Sequence, residues 1–182
     1  MADRLFDDYF SVRLACEVHL DWLSDDAAIP DAKQLADELP PLRRQLDLIA
    51  EQEQMLWAEL KDERQSPQAR LLDIYRQKLD LLADQVLTHS LGEQQWHKTV
   101  HFSAGGFSIN KEAAQGQIAR VVLRMPIGQI QGYVSLAGQD EELAYFQYVT
   151  LLEPDRERLV RLALQTQSDQ LRARRERHEE KS

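Results

Sequence analysis

The sequence is short of several features that mark common protein classes. Its 182 residues include one cysteine, Cys16, which excludes an internal disulfide and favours a reducing compartment. No apolar run approaches the roughly 20 residues that a membrane-spanning helix needs. Residues 1–10 carry three aspartates and lack the apolar stretch of a secretion signal. These shortages predict a cytoplasmic protein that does not insert into a membrane.

Positive charge is scarce as well. The chain has 22 lysines and arginines against 31 aspartates and glutamates, a net charge of -9. This balance disfavours nucleic-acid binding, because phosphates are neutralised by clustered lysine and arginine. Glutamates interrupt the arginines of the C-terminal tail, so we interpret that tail as solvated. Those arginines are Arg172, Arg174, Arg175 and Arg177.

The residue groupings of common catalytic and metal sites are also missing. We find no glycine-rich phosphate loop, no paired catalytic carboxylates and no Ser-His-Asp order. His97 and His101 would lie about 13 Å apart on a strand, too far to share a metal ion. Cys16 falls on an apolar strand face, where a core role is favoured over a nucleophilic one. We therefore expect a non-enzymatic protein with no metal ion and no resident cofactor.

What the sequence does contain is, first, an alternating pattern near the N-terminus. Period-two alternation places one face in a core and the other in water, so it predicts a half-buried strand over residues 8–23. The apolar members of the pattern are Phe10, Val12, Leu14, Cys16, Val18 and Leu20.

Residues 31–90 are predicted to be helical, because their leucines recur in steps of three and four. The proline pair at 40–41 separates a short lead-in from a main helix that begins near Pro41. Ser66 and Pro67 read as the N-cap and first position of a second helix. One acidic residue, Glu53, interrupts the apolar series of the first helix.

The two helices carry an apolar seam, defined here as Leu42, Leu46, Ile49, Leu56 and Leu60 on the first and Leu72, Tyr75, Leu79, Leu82 and Val86 on the second. Such a seam buries itself only against another helix, so we interpret this segment as an oligomerisation segment. The apolar face is wide, which favours a trimer or tetramer. An intramolecular hairpin packed on the rest of the protein is the alternative.

Residues 95–153 return to short strands separated by glycine and proline, which is typical of a small barrel or sandwich. Residues 154–182 are predicted to form a C-terminal helix with a charged tail. The predicted fold class is α+β, a small antiparallel β-barrel with an inserted long helical (coiled-coil) hairpin and a C-terminal helix.

The segment VHFSAGGFSI, residues 100–109, resembles the second signature of PilZ domains, bacterial receptors for cyclic di-GMP. Ser103 and Gly106 match that signature, and His101 stands where the family has aspartate or asparagine. The other signature of the family is an arginine pair four residues apart before the first strand. Here Arg4 matches the first arginine, but Asp8 replaces the second.

The resemblance implies that the N-terminal strand is the first barrel strand, separated from the second by the helical insertion. It also implies an adaptor that binds an unidentified protein partner, with cyclic di-GMP binding weak or absent because the arginine pair is incomplete. The alternative is a true cyclic di-GMP receptor with an altered site at Arg4, His101, Ser103 and Gly106. Strand alternation predicts that His101 and Ser103 point away from the core, while Gly105 and Gly106 could simply supply positive φ for a tight turn.

Overall fold

The computed structural model of the protein describes residues 11–59, 66–89, 94–125 and 128–179. Its contacts divide the chain into two compact units. One unit is the continuous segment Ala36–Gln94, and the other combines the chain up to Leu35 with the chain from Gln95 onward. The second unit therefore contains strands from both sides of a long insertion.

Eight strands of the described residues form one antiparallel sheet in the order β1-β4-β5-β8-β7-β6-β2-β3. They are β1 (Val12–Arg13), β2 (Glu17–Trp22), β3 (His97–Lys98), β4 (His101–Phe102), β5 (Gly106–Asn110), β6 (Ile118–Met125), β7 (Gly128–Gln139) and β8 (Leu143–Leu151). Because β1 and β2 are successive parts of one segment, the sheet curls back to the segment at which it began. This is the pairing of a small β-barrel.

The sheet encloses an apolar core, and the alternation along its strands decides which side chains enter it. On β2, Val18 and Leu20 are buried. They face Leu123 and Val121 of β6 in the pairing register. Phe107 and Phe146 stack within the same core at a ring-centre distance of 5.8 Å. The predicted period-two pattern is therefore the reason that these segments pair as strands.

The single N-terminal strand that the sequence predicts is in fact two strands with a bulge between them. Arg13 pairs with His101 and Glu17 pairs with Lys98, so residues 14–16 lie opposite only two residues, 99 and 100. The extra residue breaks the ladder while leaving Val12 and Cys16 on the core side. The alternation pattern does not reveal this break, because it reports burial and not pairing.

Four α-helices and a one-turn 3-10 helix (Lys111–Ala113) complete the described structure. The α-helices are α1 (Ala32–Glu38), α2 (Pro41–Glu59), α3 (Pro67–His89) and α4 (Glu153–Glu179). The start of α2 at Pro41 is as predicted, and α3 begins at Pro67 with the Ser66 hydroxyl accepting the Ala69 N–H at 3.1 Å. On α4, Leu159, Leu162 and Ala163 belong to the barrel core. The predicted α+β fold class, with its helical insertion and C-terminal helix, is confirmed.

Candidate functional site

The turn between β4 and β5 contains the motif residues Ser103 and Gly106. The Ser103 N–H donates to the Gly106 carbonyl at 2.9 Å. The Ser103 hydroxyl accepts the N–H groups of Gly105 at 3.2 Å and Gly106 at 3.1 Å. The same hydroxyl donates to the Gly106 carbonyl at 3.2 Å. The serine side chain therefore stabilises the turn by hydrogen-bonding to the backbone of its residues 105 and 106.

These bonds use the full capacity of the hydroxyl, which has one donor and two acceptor positions. Ser103 is also completely buried. Ser103 is therefore not accessible to solvent, as a residue on the outer, ligand-facing side of a strand would be. β4 ends at Phe102, so strand alternation does not extend to Ser103. In this conformation the hydroxyl has no hydrogen-bonding position left for a ligand.

Gly105 and Gly106 do not act through positive φ. Among the glycines that the structure describes, Gly128 alone has a positive φ, of 101°. Gly106 instead begins β5, where it pairs with Gln147. The Gly105 carbonyl accepts the Tyr148 N–H at 3.0 Å. The turn-forming role weighed from the sequence is thus supplied by the serine side chain and not by a left-handed glycine.

His101 is the motif residue that remains partly accessible. It lies on the outer face of β4, opposite Arg13 of β1. Its N–H donates to the Ser108 hydroxyl at 3.1 Å, and its Nδ1 lies 3.2 Å from the same oxygen. Ser108 can donate to Nδ1 while it accepts the backbone N–H, so the imidazole is held at the surface. Arg4, the other predicted ligand residue, lies outside the described residues.

Two residues that the sequence interpretation missed organise this end of the barrel. Thr99 is buried, and its hydroxyl donates to the Leu14 carbonyl at 2.6 Å and accepts the Cys16 N–H at 2.9 Å. Arg156 of α4 donates to the Ala104 carbonyl at 3.4 Å. Neither role has a local sequence signal, because each depends on partners more than 50 residues away along the chain.

The apolar seam of α2 and α3 is largely exposed. On α2, Leu42, Ile49 and Leu56 are 39%, 59% and 59% exposed, and Leu46 is half-buried. On α3 the exposed fractions range from 53% at Tyr75 to 64% at Leu79, with Leu72, Leu82 and Val86 between them. Leu60 lies outside the described residues. In the residues that the structure describes, neither helix therefore buries its seam completely within a single chain.

Further exposed apolar side chains flank the seam on both helices: Leu48 and Met55 on α2, and Leu71, Ile74 and Leu81 on α3. Contiguous exposed apolar patches are a common feature of interaction sites in proteins. The described helices contain no segment long and apolar enough to cross a bilayer. In the described part of the chain, no group of three or more His, Cys, Asp or Glu side chains is placed to hold a metal ion.

Comparison with known proteins yields structural similarities. No family model and no curated protein matches the chain. The inhibitor of motility MotI/DgrA of Bacillus subtilis is 17% identical over 43% of this chain and 44% of its own, with a TM-score of 0.38. The match thus spans less than half of that protein.

A second solved structure is similar over most of its length. It is a pathogenic protein from Xanthomonas campestris, described as a tetrameric PilZ domain self-assembled via a helical bundle. It is 16% identical over 92% of this chain and 93% of its own, with a TM-score of 0.47. What these two proteins bind or assemble with is a property of those proteins.

Proposed function

We propose that this protein is a non-enzymatic, PilZ-like adaptor of the cytoplasm that self-associates through α2 and α3 and presents its barrel to a protein partner. The observation that carries the proposal is the exposed apolar seam. Burying one leucine side chain is worth about 1.5–3 kcal/mol. A row of exposed leucines on two long helices therefore favours association strongly, and a trimer or tetramer covers a wide face better than a dimer.

The proposal also holds that cyclic di-GMP binding is weak or absent. Ser103, the best match to the family signature, uses all the hydrogen-bonding positions of its hydroxyl within its own turn. Asp8 stands where the family has its second arginine, and a carboxylate repels phosphate. The alternative, a cyclic di-GMP receptor with a degenerate site, rests on His101, which is half-buried beside Arg13.

Light scattering after size exclusion tests the self-association. We expect the wild type to have three or four times the monomer mass and Leu79→Asp/Leu82→Asp to be monomeric, because two carboxylates cannot be buried in the seam. Gln68→Asp/Gln77→Asp is the matched control, since it adds the same charge to the same helix at exposed polar positions. An oligomer that survives in the seam variant, or a monomeric wild type, contradicts the proposal.

Titration calorimetry with cyclic di-GMP tests whether this ligand binds weakly or not at all. We expect no heat of binding at micromolar ligand. If the wild type binds the ligand, and if His101→Ala and Arg4→Ala each abolish this binding, the receptor alternative is established instead. Ser103→Ala is unsuitable as a binding variant because it opens the turn, so a loss of binding would not distinguish a ligand contact from a structural effect.

A further inference from the structure

The seams of α2 and α3 share one spacing when one of them is read backwards. From Leu56 back to Leu42, the α2 positions 56, 53, 49, 46 and 42 are separated by steps of three, four, three and four. From Leu72 to Val86, the α3 positions 72, 75, 79, 82 and 86 show the same steps in the same order. Positions 42–56 of α2 therefore match positions 72–86 of α3 layer by layer when the two helices run antiparallel, because each layer needs one residue from each seam.

The antiparallel match produces five layers in succession. They pair Leu56 with Leu72, Glu53 with Tyr75, Ile49 with Leu79, Leu46 with Leu82, and Leu42 with Val86. Four of these layers are wholly apolar. The remaining layer contains the one acidic residue of the α2 seam, and it decides between this register and the others.

Tyr75 is the one residue of the α3 seam with a polar group, a phenolic O–H that can donate to a carboxylate. Lys78 adds a positive charge beside this layer, since its Nζ lies 5.6 Å from the centre of the Tyr75 ring. Glu53 would therefore meet both a hydrogen-bond donor and a cation. A single polar layer of this kind sets register in helical bundles at some cost in stability.

Other helix pairings place the Glu53 carboxylate in an unfavourable environment. Two α2 helices packed in parallel and in register would put Glu53 against a second Glu53, and like charges in one layer repel. A parallel α2–α3 pair can also match five layers, from 46 with 72 to 60 with 86, but it sets Glu53 against Leu79. Burying a carboxylate against leucine without a hydrogen bond is costly. The antiparallel α2–α3 pair avoids both penalties.

We infer that α2 of one copy packs antiparallel against α3 of a second copy, with Glu53 of the first hydrogen-bonded to Tyr75 of the second. The inference rests on the proposed self-association and specifies its geometry. The partner helix comes from another copy because both seams are more than half exposed in a single chain at Ile49, Leu56, Leu79 and Leu82. A two-fold axis makes the contact reciprocal, so that two chains form a four-helix unit, and two such units make up the tetramer of the proposed function.

Disulfide trapping between two single variants tests this pairing. Ile49→Cys and Leu79→Cys, one of them carrying a tag that changes its size, are co-expressed and oxidised, then separated on a non-reducing gel. We expect a cross-linked species of one tagged and one untagged chain, and at least tenfold less cross-linking when either variant is oxidised alone. Wild type is the blank, since its single thiol, Cys16, is buried.

Ile49→Cys with Leu72→Cys is the off-register control, because residue 72 lies two helical turns, about 10.5 Å, from residue 79. We expect this pair to cross-link no more than the blank. If Ile49→Cys prevents assembly, Leu46→Cys with Leu82→Cys reports on the adjacent layer in the same way.

The outcomes separate the geometry from the proposed function. A light-scattering mass of one chain refutes both. An oligomer in which each variant cross-links with itself shows like-with-like pairing and refutes the geometry alone. The double variant Ile49→Cys/Leu79→Cys adds a third result: a disulfide confined to the monomer band shows that the hairpin closes within one chain, which also refutes the inference.

Discussion

Tyr148 places a hydroxyl inside the barrel core without a described hydrogen-bond partner. The residue packs against Phe107 at a ring-centre distance of 5.9 Å, and its hydroxyl is buried. Burial raises the pKa of this phenol well above its usual range. A buried polar group that makes no hydrogen bond costs free energy relative to its hydrated state in the unfolded chain.

Tyr148→Phe is therefore expected to stabilise the protein. Removing the hydroxyl eliminates the desolvation cost and keeps the ring, so the free energy of unfolding should rise by about 1 kcal/mol. Urea denaturation followed by circular dichroism measures the change, with Tyr145→Phe as the control, because that hydroxyl donates to Asp140 at 2.7 Å and its removal should destabilise. A loss of stability in Tyr148→Phe would show that the hydroxyl has a partner.

The buried thiol of Cys16 is expected to make the barrel less stable at alkaline pH. Burial raises the pKa of its thiol from 9.0 to about 11, against a hydrogen bond to Thr99 that lowers it. Above pH 9 the thiol of the unfolded chain ionises before that of the folded chain, so the unfolded state is favoured as pH rises. The stability from the neutral thiol is fully present below pH 9 and is lost as pH rises through 11.

We expect wild type to lose about 2 kcal/mol more stability than Cys16→Ala between pH 8 and pH 10.5, from the two-unit difference in pKa. The comparison cancels the titration of the lysines and of the tyrosines other than Tyr148, whose pKa Cys16 itself helps to raise. Urea denaturation at a series of pH values provides the measurement. Parallel pH profiles for the two proteins would contradict this account of Cys16.

At the scale of elements, the bulge between β1 and β2 is held by one side chain. The Thr99 hydroxyl bridges the Leu14 carbonyl and the Cys16 N–H, both of which lost their ladder partners where the register shifts. Without that bridge, the buried Cys16 N–H and the half-buried Leu14 carbonyl would lack these hydrogen bonds. The closure of the sheet thus depends on a residue from the far side of the insertion.

Replacing Thr99 tests the bridge. We expect Thr99→Val, which keeps the shape of the side chain, to reduce the free energy of unfolding by about 2 kcal/mol, because the buried Cys16 N–H and the half-buried Leu14 carbonyl become unsatisfied. Thr99→Ser keeps the hydroxyl and loses one methyl, at a cost of about 1 kcal/mol. Chemical denaturation of both variants decides the matter: equal losses would mean that the methyl, and not the hydroxyl, is responsible.

At the scale of the whole molecule, the helical seam couples stability to concentration. Residues such as Leu79 and Leu82 are exposed in one chain and become buried only on association, so association stabilises the folded helices by mass action. The barrel core is complete within one chain and needs no partner. The two units should therefore respond differently to dilution.

We expect the melting temperature of the helical signal to rise with protein concentration in wild type and to be independent of concentration in Leu79→Asp/Leu82→Asp. Circular dichroism at 222 nm over a hundredfold range of concentration measures this. The melting of the barrel, followed by near-ultraviolet dichroism of its aromatic core, should remain unchanged in the variant. A wild-type melting temperature that does not change with dilution would argue against association.

Much of the architecture follows from local sequence signals. Pro41, Ser66 and Pro67 determine where α2 and α3 begin, because proline and a serine N-cap act on the residues beside them. The alternating apolar residues of β2 and the three-four spacing of the helical seams are likewise local. The identity of the core face and of the exposed seam could therefore be read from the sequence.

The tertiary structure alone decided the rest. The burial of Ser103, the bulge at residues 14–16 and the role of Thr99 depend on contacts between distant segments, and no local pattern encodes them. Gly132 is a further case, since a Cβ there would lie 2.6 Å from the Thr150 carbonyl oxygen on the neighbouring strand. Periodicity reports which side of an element avoids water, whereas hydrogen-bond satisfaction depends on which groups the fold brings together.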